Sequence, residues 1–80
     1  MGHTDVEEDA ARRLATEHLR RLCDTLAPDQ RNVLLLRMLA DLTVDDIASA
    51  LGKTSGAVKA LQRRGLASLR RQMQREGVPL

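Results

Sequence analysis

Eighty residues with a formal net charge of +2 can build one small domain around one modest core, and not a second. There is no Phe, Tyr or Trp, and the one cysteine, Cys23, excludes an internal disulfide, so a reducing compartment is the simplest setting. No apolar run approaches the roughly 18 residues of a membrane span, which argues against membrane insertion, and no signal-peptide core precedes the first helix.

Long Leu/Ala/Arg stretches broken by only two prolines predict an all-α fold. Residues 1–4 read as a cloning remnant or disordered; Val6 stands where a myristoylation signal wants Ser or Thr. The domain is expected over residues 5–76, with 77–80 as a tail after Gly77 and Pro79. The first helix is predicted from about Val6 to Thr25, with Asp5, Glu7, Glu8 and Asp9 at the positive end of its dipole and Arg20 and Arg21 at the negative end. Ala11, Leu14, Ala15, His18, Leu19, Leu22 and Leu26 recur at helical spacing and are expected to form its core face.

Ala27-Pro28 breaks the pattern, and Pro28 suits the first position of a second helix, about Pro28 to Ala40. Val33, Leu34, Leu35, Leu36, Met38 and Leu39 make that helix apolar nearly all round, so it is either central or offers part of itself to a partner. Thr43 can cap a third helix that holds Ile47, Ala48 and Leu51 on one face and stops at Gly52, a natural left-handed residue. Thr54 caps again, and a fourth helix runs to about Arg75.

Helix, short turn with glycine, helix is the layout of a helix-turn-helix, here at about residues 44–75. Ala48 is small where the next helix must cross, Gly52 takes the strained backbone of the turn, and Val58 and Leu61 are expected to pack on Ile47 and Leu51. The charge is divided along the chain. Residues 1–52 hold six arginines against ten carboxylates, a balance of −4, whereas residues 53–80 hold seven cations against one glutamate, a balance of +6.

At about 100° per residue, with Lys59 at the origin, Val58, Leu61, Gly65, Leu66, Leu69 and Met73 fall on one side of the fourth helix. Lys59, Arg63, Arg64, Arg70, Arg71 and Arg75 fall on the other. A solvated surface also places cations outward. Ordinary surface helices, however, mix signs to relieve like-charge pairs such as Lys59/Arg63 and Arg71/Arg75, and no acid does so here before Glu76. The one-sign face therefore points to a polyanion. Gly56, in the first turn, either lets a phosphate approach the backbone amides or merely tolerates packing. Gly65 lies on the core side, where close helix crossing explains it. Gln62 sits inside the apolar arc, as a buried hydrogen-bonded group or a rim residue.

Residues 26–71 resemble region 4 of a sigma-70-family factor, and most of all the extracytoplasmic-function (group IV) type. The resemblance rests on Leu26, Pro28, Gln30, Arg31, Val33, Leu34, Leu36 and Arg37, then Leu42, Thr43, Asp46, Ile47 and Ala48, then Gly52, Thr54, Gly56, Val58 and Lys59. It implies a four-helix domain with a helix-turn-helix, winged-helix-like or of the sigma region 4 type. It further implies that the fourth helix enters the major groove of the promoter −35 element while the domain docks on the β flap of RNA polymerase. On that resemblance Lys59, Arg63 and Arg64 face bases and phosphates, Thr54 and Ser55 meet phosphates, and Arg37 contacts the DNA backbone. Leu35, Met38 and Leu39 become candidates for a protein partner, the flap or an anti-sigma factor, and the setting becomes the bacterial cytoplasm, at the nucleoid. Lys53, where the family usually has an apolar residue, and Leu61-Gln62, in place of the commoner Arg-Leu, depart from the pattern.

Promoter melting in that family uses aromatic residues of region 2, which a chain without aromatics does not hold; the expectation is a C-terminal domain that reads duplex DNA without opening it. Two other readings compete. One is a LuxR/GerE-type regulator output domain, against which stand Asp29-Gln30-Arg31 and the run Arg63 to Arg70. The other is an interaction module whose basic helix merely solubilises it. No enzyme or cofactor is expected: His18 and Cys23 lack further ligands nearby, Asp45-Asp46 suits a helix start, and no phosphate loop or nucleophile motif occurs.

Overall fold

The computed structural model describes the backbone of residues 2–77 and the side chains of residues 6–77. Four helices occur among them: α1 (Gly2–Cys23), α2 (Pro28–Met38), α3 (Val44–Leu51) and α4 (Ser55–Arg75). No strand occurs among the described residues, so no β-wing accompanies the helix-turn-helix.

Local chemistry sets the boundaries. Pro28 supplies the first turn of α2, where its missing N–H costs no bond. Thr43 Oγ1 accepts from the Asp46 amide at 3.1 Å to start α3, and Thr54 Oγ1 accepts from the Ala57 amide at 3.1 Å to start α4. Between them Gly52 takes φ +66° and the Lys53 amide returns to Ala48 O at 2.9 Å, which closes α3 and turns the chain at once into α4.

Three boundaries differ from expectation. α1 starts at Gly2, four residues before the expected Val6. It stops at Cys23 instead of Thr25, where the Thr25 hydroxyl donates to Leu22 O at 2.8 Å and ties off the last turn. α2 stops at Met38 rather than Ala40: Asp41 takes φ +57° and the Leu42 amide reaches back to Leu36 O at 3.2 Å.

The core has two lobes, and α2 belongs to both. Leu34 joins Leu22, Cys23, Leu26 and Leu69 in a lobe shared with α1 and the second half of α4. Its neighbour Val33 joins Ile47, Ala48 and Val58 in a lobe shared with α3 and the start of α4. This is why α2 is apolar nearly all round: it is wedged between two cores. Gly65 lets α4 cross α2 closely, since a Cβ there would stand 2.8 Å from Leu34 Cδ1.

The expected core face of α1 holds only at its C-terminal end. Leu22 and Leu26 are buried and Leu19 half-buried, but Ala11, Ala15 and His18 are exposed and Leu14 is 72% exposed. The N-terminal half of α1 extends beyond its neighbours, which gives a radius of gyration of 14.4 Å where a compact domain of this size has about 12 Å. Cys23 is instead a core residue, 1% exposed, and burial pushes its thiol pKa up.

Candidate nucleic-acid interface

The second half of the helix-turn-helix projects its cations away from the core. Val58, Gly65 and Leu69 are buried and Leu61, Leu66 and Met73 half-buried, so the helical period forces Lys59, Arg63, Arg64, Arg70, Arg71 and Arg75 into solvent, and all six are exposed. None of them is paired with a carboxylate among the described residues. The two ion pairs found lie elsewhere, Arg12 with Asp9 at 3.6 Å and Lys53 with Asp29 at 3.3 Å. Arg71 and Arg75 donate only to neutral groups of their own helix, Ser68 Oγ at 3.0 Å and Gln72 Oε1 at 2.6 Å. One face of α4 thus presents an unopposed positive field, which attracts a polyanion and repels another cationic surface.

Lys59, Arg63 and Arg64 fall within the first three turns of α4, at the end next to the turn. A helix fits the major groove of duplex DNA by width, and residues of its first turns are the ones that reach base edges. Arg70, Arg71 and Arg75 lie farther along the helix, about 16–24 Å of axial rise from Lys59.

The remaining expected contacts are engaged within the protein to different degrees. The Thr54 hydroxyl oxygen accepts the Ala57 amide, which leaves its proton free for an outside acceptor. Ser55 Oγ donates to Asp45 Oδ1 at 2.6 Å, so its proton is taken. Arg37 Nη1 donates to Leu42 O at 2.9 Å, and four of the five guanidinium donors remain. Since the Leu42 amide also bonds Leu36 O, Arg37 serves first as a strut for the α2–α3 turn. A Cβ built on Gly56 meets nothing within 4 Å, so packing does not require that glycine.

Sequence reasoning missed three features here. The Ser55–Asp45 bond joins residues ten apart and depends on how tightly the turn closes. Lys53 bonds Asp29 at the start of α2, which gives the charged residue of the turn a partner that spacing alone does not reveal. Gln62 is not the buried, hydrogen-bonded group that was one expectation: it is half-buried, and its buried Oε1 has no hydrogen-bond partner. It lines a shallow depression floored by Leu66 and Ala67 and rimmed by Lys59, Arg63 and Arg70.

The candidate partner residues divide. Leu35 is half-buried against the α1–α4 lobe, whereas Met38 and Leu39 are 46% and 37% exposed at the end of α2. Among the described residues no three His, Cys, Asp or Glu side chains group as metal ligands, and no helix is long and apolar enough to cross a membrane.

Comparison with known proteins agrees with this geometry. The model of the family described as Sigma-70, region 4 matches residues 16–69, from the last turns of α1 through most of α4. The RNA polymerase sigma-E factor of Streptomyces avermitilis is 37% identical over 69 residues, covering 86% of this chain and 36% of that protein. The sigma-E factor of Streptomyces coelicolor is 37% identical over 68 residues, 85% of this chain and 36% of that protein. The ECF RNA polymerase sigma factor SigD of Mycobacterium tuberculosis is 34% identical over 65 residues, 81% of this chain and 28% of that protein. The chain spans about a third of the length of the relatives it matches.

Proposed function

Because the chain belongs to the sigma-70 region 4 family, we propose that it recognises the −35 element of bacterial promoters as duplex DNA, within a sigma factor of the extracytoplasmic-function type. The observation that carries this reading is the face of α4, where six exposed cations have no carboxylate partner among the described residues. In this reading α4 lies in the major groove. Lys59, Arg63 and Arg64 read base edges and adjacent phosphates, while Thr54 and the remaining donors of Arg37 hold the backbone on either side.

The partners that follow are promoter DNA and RNA polymerase in the bacterial cytoplasm. The β flap is the proposed docking site, and an anti-sigma factor a proposed competitor for the same apolar surface. The exposed end of α2, Met38 and Leu39 with the edge of Leu35, is the surface we assign to them.

Selection of duplexes by the domain from a random pool tests the reading, followed by fluorescence titration of the selected duplex against salt. About four to six cations reach phosphates in the proposed pose, which gives a log–log salt slope of roughly −4 to −5. A pool that yields no preferred sequence, or a slope near zero, would sink the proposal.

A further inference from the structure

We propose that Asp45 restrains the duplex affinity of this domain, by holding the proton of Ser55 and by setting a carboxylate against the phosphate that the start of α4 would take. The inference rests on the −35 reading above and concerns how tightly that same face binds.

Ser55 is the first residue of α4 and Asp45 the second of α3, and the short turn through Gly52 brings their side chains to 2.6 Å. That distance is the short range of a hydroxyl donating to a carboxylate, the stronger kind of hydrogen bond. A serine has one proton to give, and a phosphate oxygen only accepts. The Ser55 hydroxyl can therefore donate to a phosphate only by leaving Asp45. Thr54 differs, because its oxygen accepts the Ala57 amide and its proton stays available.

The charge matters as much as the proton. A phosphate within hydrogen-bond reach of Ser55 Oγ would lie about two hydrogen-bond lengths from Asp45 Oδ1, given the 2.6 Å between the two side chains. The cation nearest in sequence, Lys53, is turned away to Asp29 at 3.3 Å and does not offset Asp45. Asp45 still has a reason to be there for stability, since a carboxylate in the first turn of α3 suits the positive end of the helix. The two roles predict opposite signs on substitution. Replacing Asp45 lowers stability slightly and raises DNA affinity. A residue that only caps a helix cannot do both.

The experiment uses the 80-residue chain, its selected duplex, anisotropy at fixed low salt, and thermal melting of every variant. Asp45→Asn removes the charge and keeps an acceptor; it is expected to tighten binding roughly three- to fivefold, the effect of one unit charge about 5 Å from a phosphate across water. Asp45→Ala removes the tether as well and is expected to gain further, with that extra gain lost when Ser55→Ala is added. Asp45→Glu, which keeps the charge, is expected to stay close to the parent affinity, and Ser55→Ala alone to change it less than twofold. Melting temperatures of the Asn and Ala variants are expected unchanged or lower. The proposal is overturned if both variants bind as the parent does or more weakly, or if Ser55→Ala alone weakens binding severalfold, because the hydroxyl then already serves the DNA. If the parent binds no duplex at all, the −35 reading itself fails, and this outcome is distinct from the other two.

Discussion

Gly65 and Leu34 approach so closely that a Cβ on the glycine would stand 2.8 Å from Leu34 Cδ1 and 3.1 Å from Cγ. Leu34 is fully buried between α1, α2 and α4, so it has little room to move aside. Gly65→Ala gains about 1 kcal/mol of helix propensity and loses about 1–3 kcal/mol to overpacking. The expected net is a loss on the order of 1 kcal/mol, read as a fall in melting temperature of about 4–8 °C. Leu34→Ala should cost less in the Gly65→Ala background than in the parent, because the new methyl fills part of the cavity. Additive costs would show that the two residues are not in contact.

Gly56 should behave in the opposite way. It lies in the first turn of α4 with open space where a Cβ would go, so Gly56→Ala is expected to stabilise the domain by about 0.4–1 kcal/mol. The same methyl would stand where a phosphate approaches the free amides of the helix start, and duplex affinity should fall severalfold. A variant that gains stability and keeps full affinity would remove the phosphate from this position.

Arg64 and Arg75 are both exposed on the basic face but stand eleven residues apart on α4, about 16 Å along its axis. If Arg64 enters the groove and pairs with a guanine, Arg64→Ala costs about 1–3 kcal/mol and relaxes preference at one base pair. Arg75→Ala should instead weaken all sequences alike and make the salt slope shallower by about 1. A panel of mutated sites measured with both variants distinguishes the roles; identical profiles would show that α4 is not placed with its first turns in the groove.

Cys23 supplies a pH dependence. Burial, then the neighbouring Asp24, pushes its thiol pKa up, against a smaller opposing effect of Arg31. The unfolded chain therefore releases the thiol proton first, at about pH 8.5, while the folded chain still holds it. The stabilisation from keeping this thiol neutral is complete below that pH and is lost as pH rises through the folded value. Urea midpoints between pH 7.5 and about pH 10 should fall for the parent and fall less for Cys23→Ala, whatever the constant offset from its cavity. Parallel slopes would show that the thiol does not contribute.

These predictions draw unequally on what the sequence makes legible. The start of α2 and both ends of α3 follow from Pro28, Thr43, Gly52 and Thr54, because capping is decided by atoms within a few residues. The two faces of α4 were equally legible, since twenty-one residues of regular helix leave little freedom about which side chains point together. α1 was not. Periodicity tells which residues can share a face, but only a neighbouring helix decides whether that face is covered, and none reaches Leu14. Cys23 sits just to one side of the expected stripe and falls outside the expected core face, although a lone thiol beside leucines packs like another small apolar group. The bonds from Ser55 to Asp45 and from Lys53 to Asp29 depend on a tight turn in three dimensions, which residue spacing does not specify.

Val33 and Leu34 are adjacent in the chain and belong to opposite lobes, one holding α3 and the start of α4 and the other anchoring α1. Loss of packing in either lobe would loosen the α2 backbone that the other shares, so the two lobes are expected to melt in one transition. If a duplex binds at the start of α4, hydrogen exchange at the last turns of α1, around Leu22 and Cys23, is expected to slow. A helix packed on both sides is thus an element through which the two ends of the domain can sense each other.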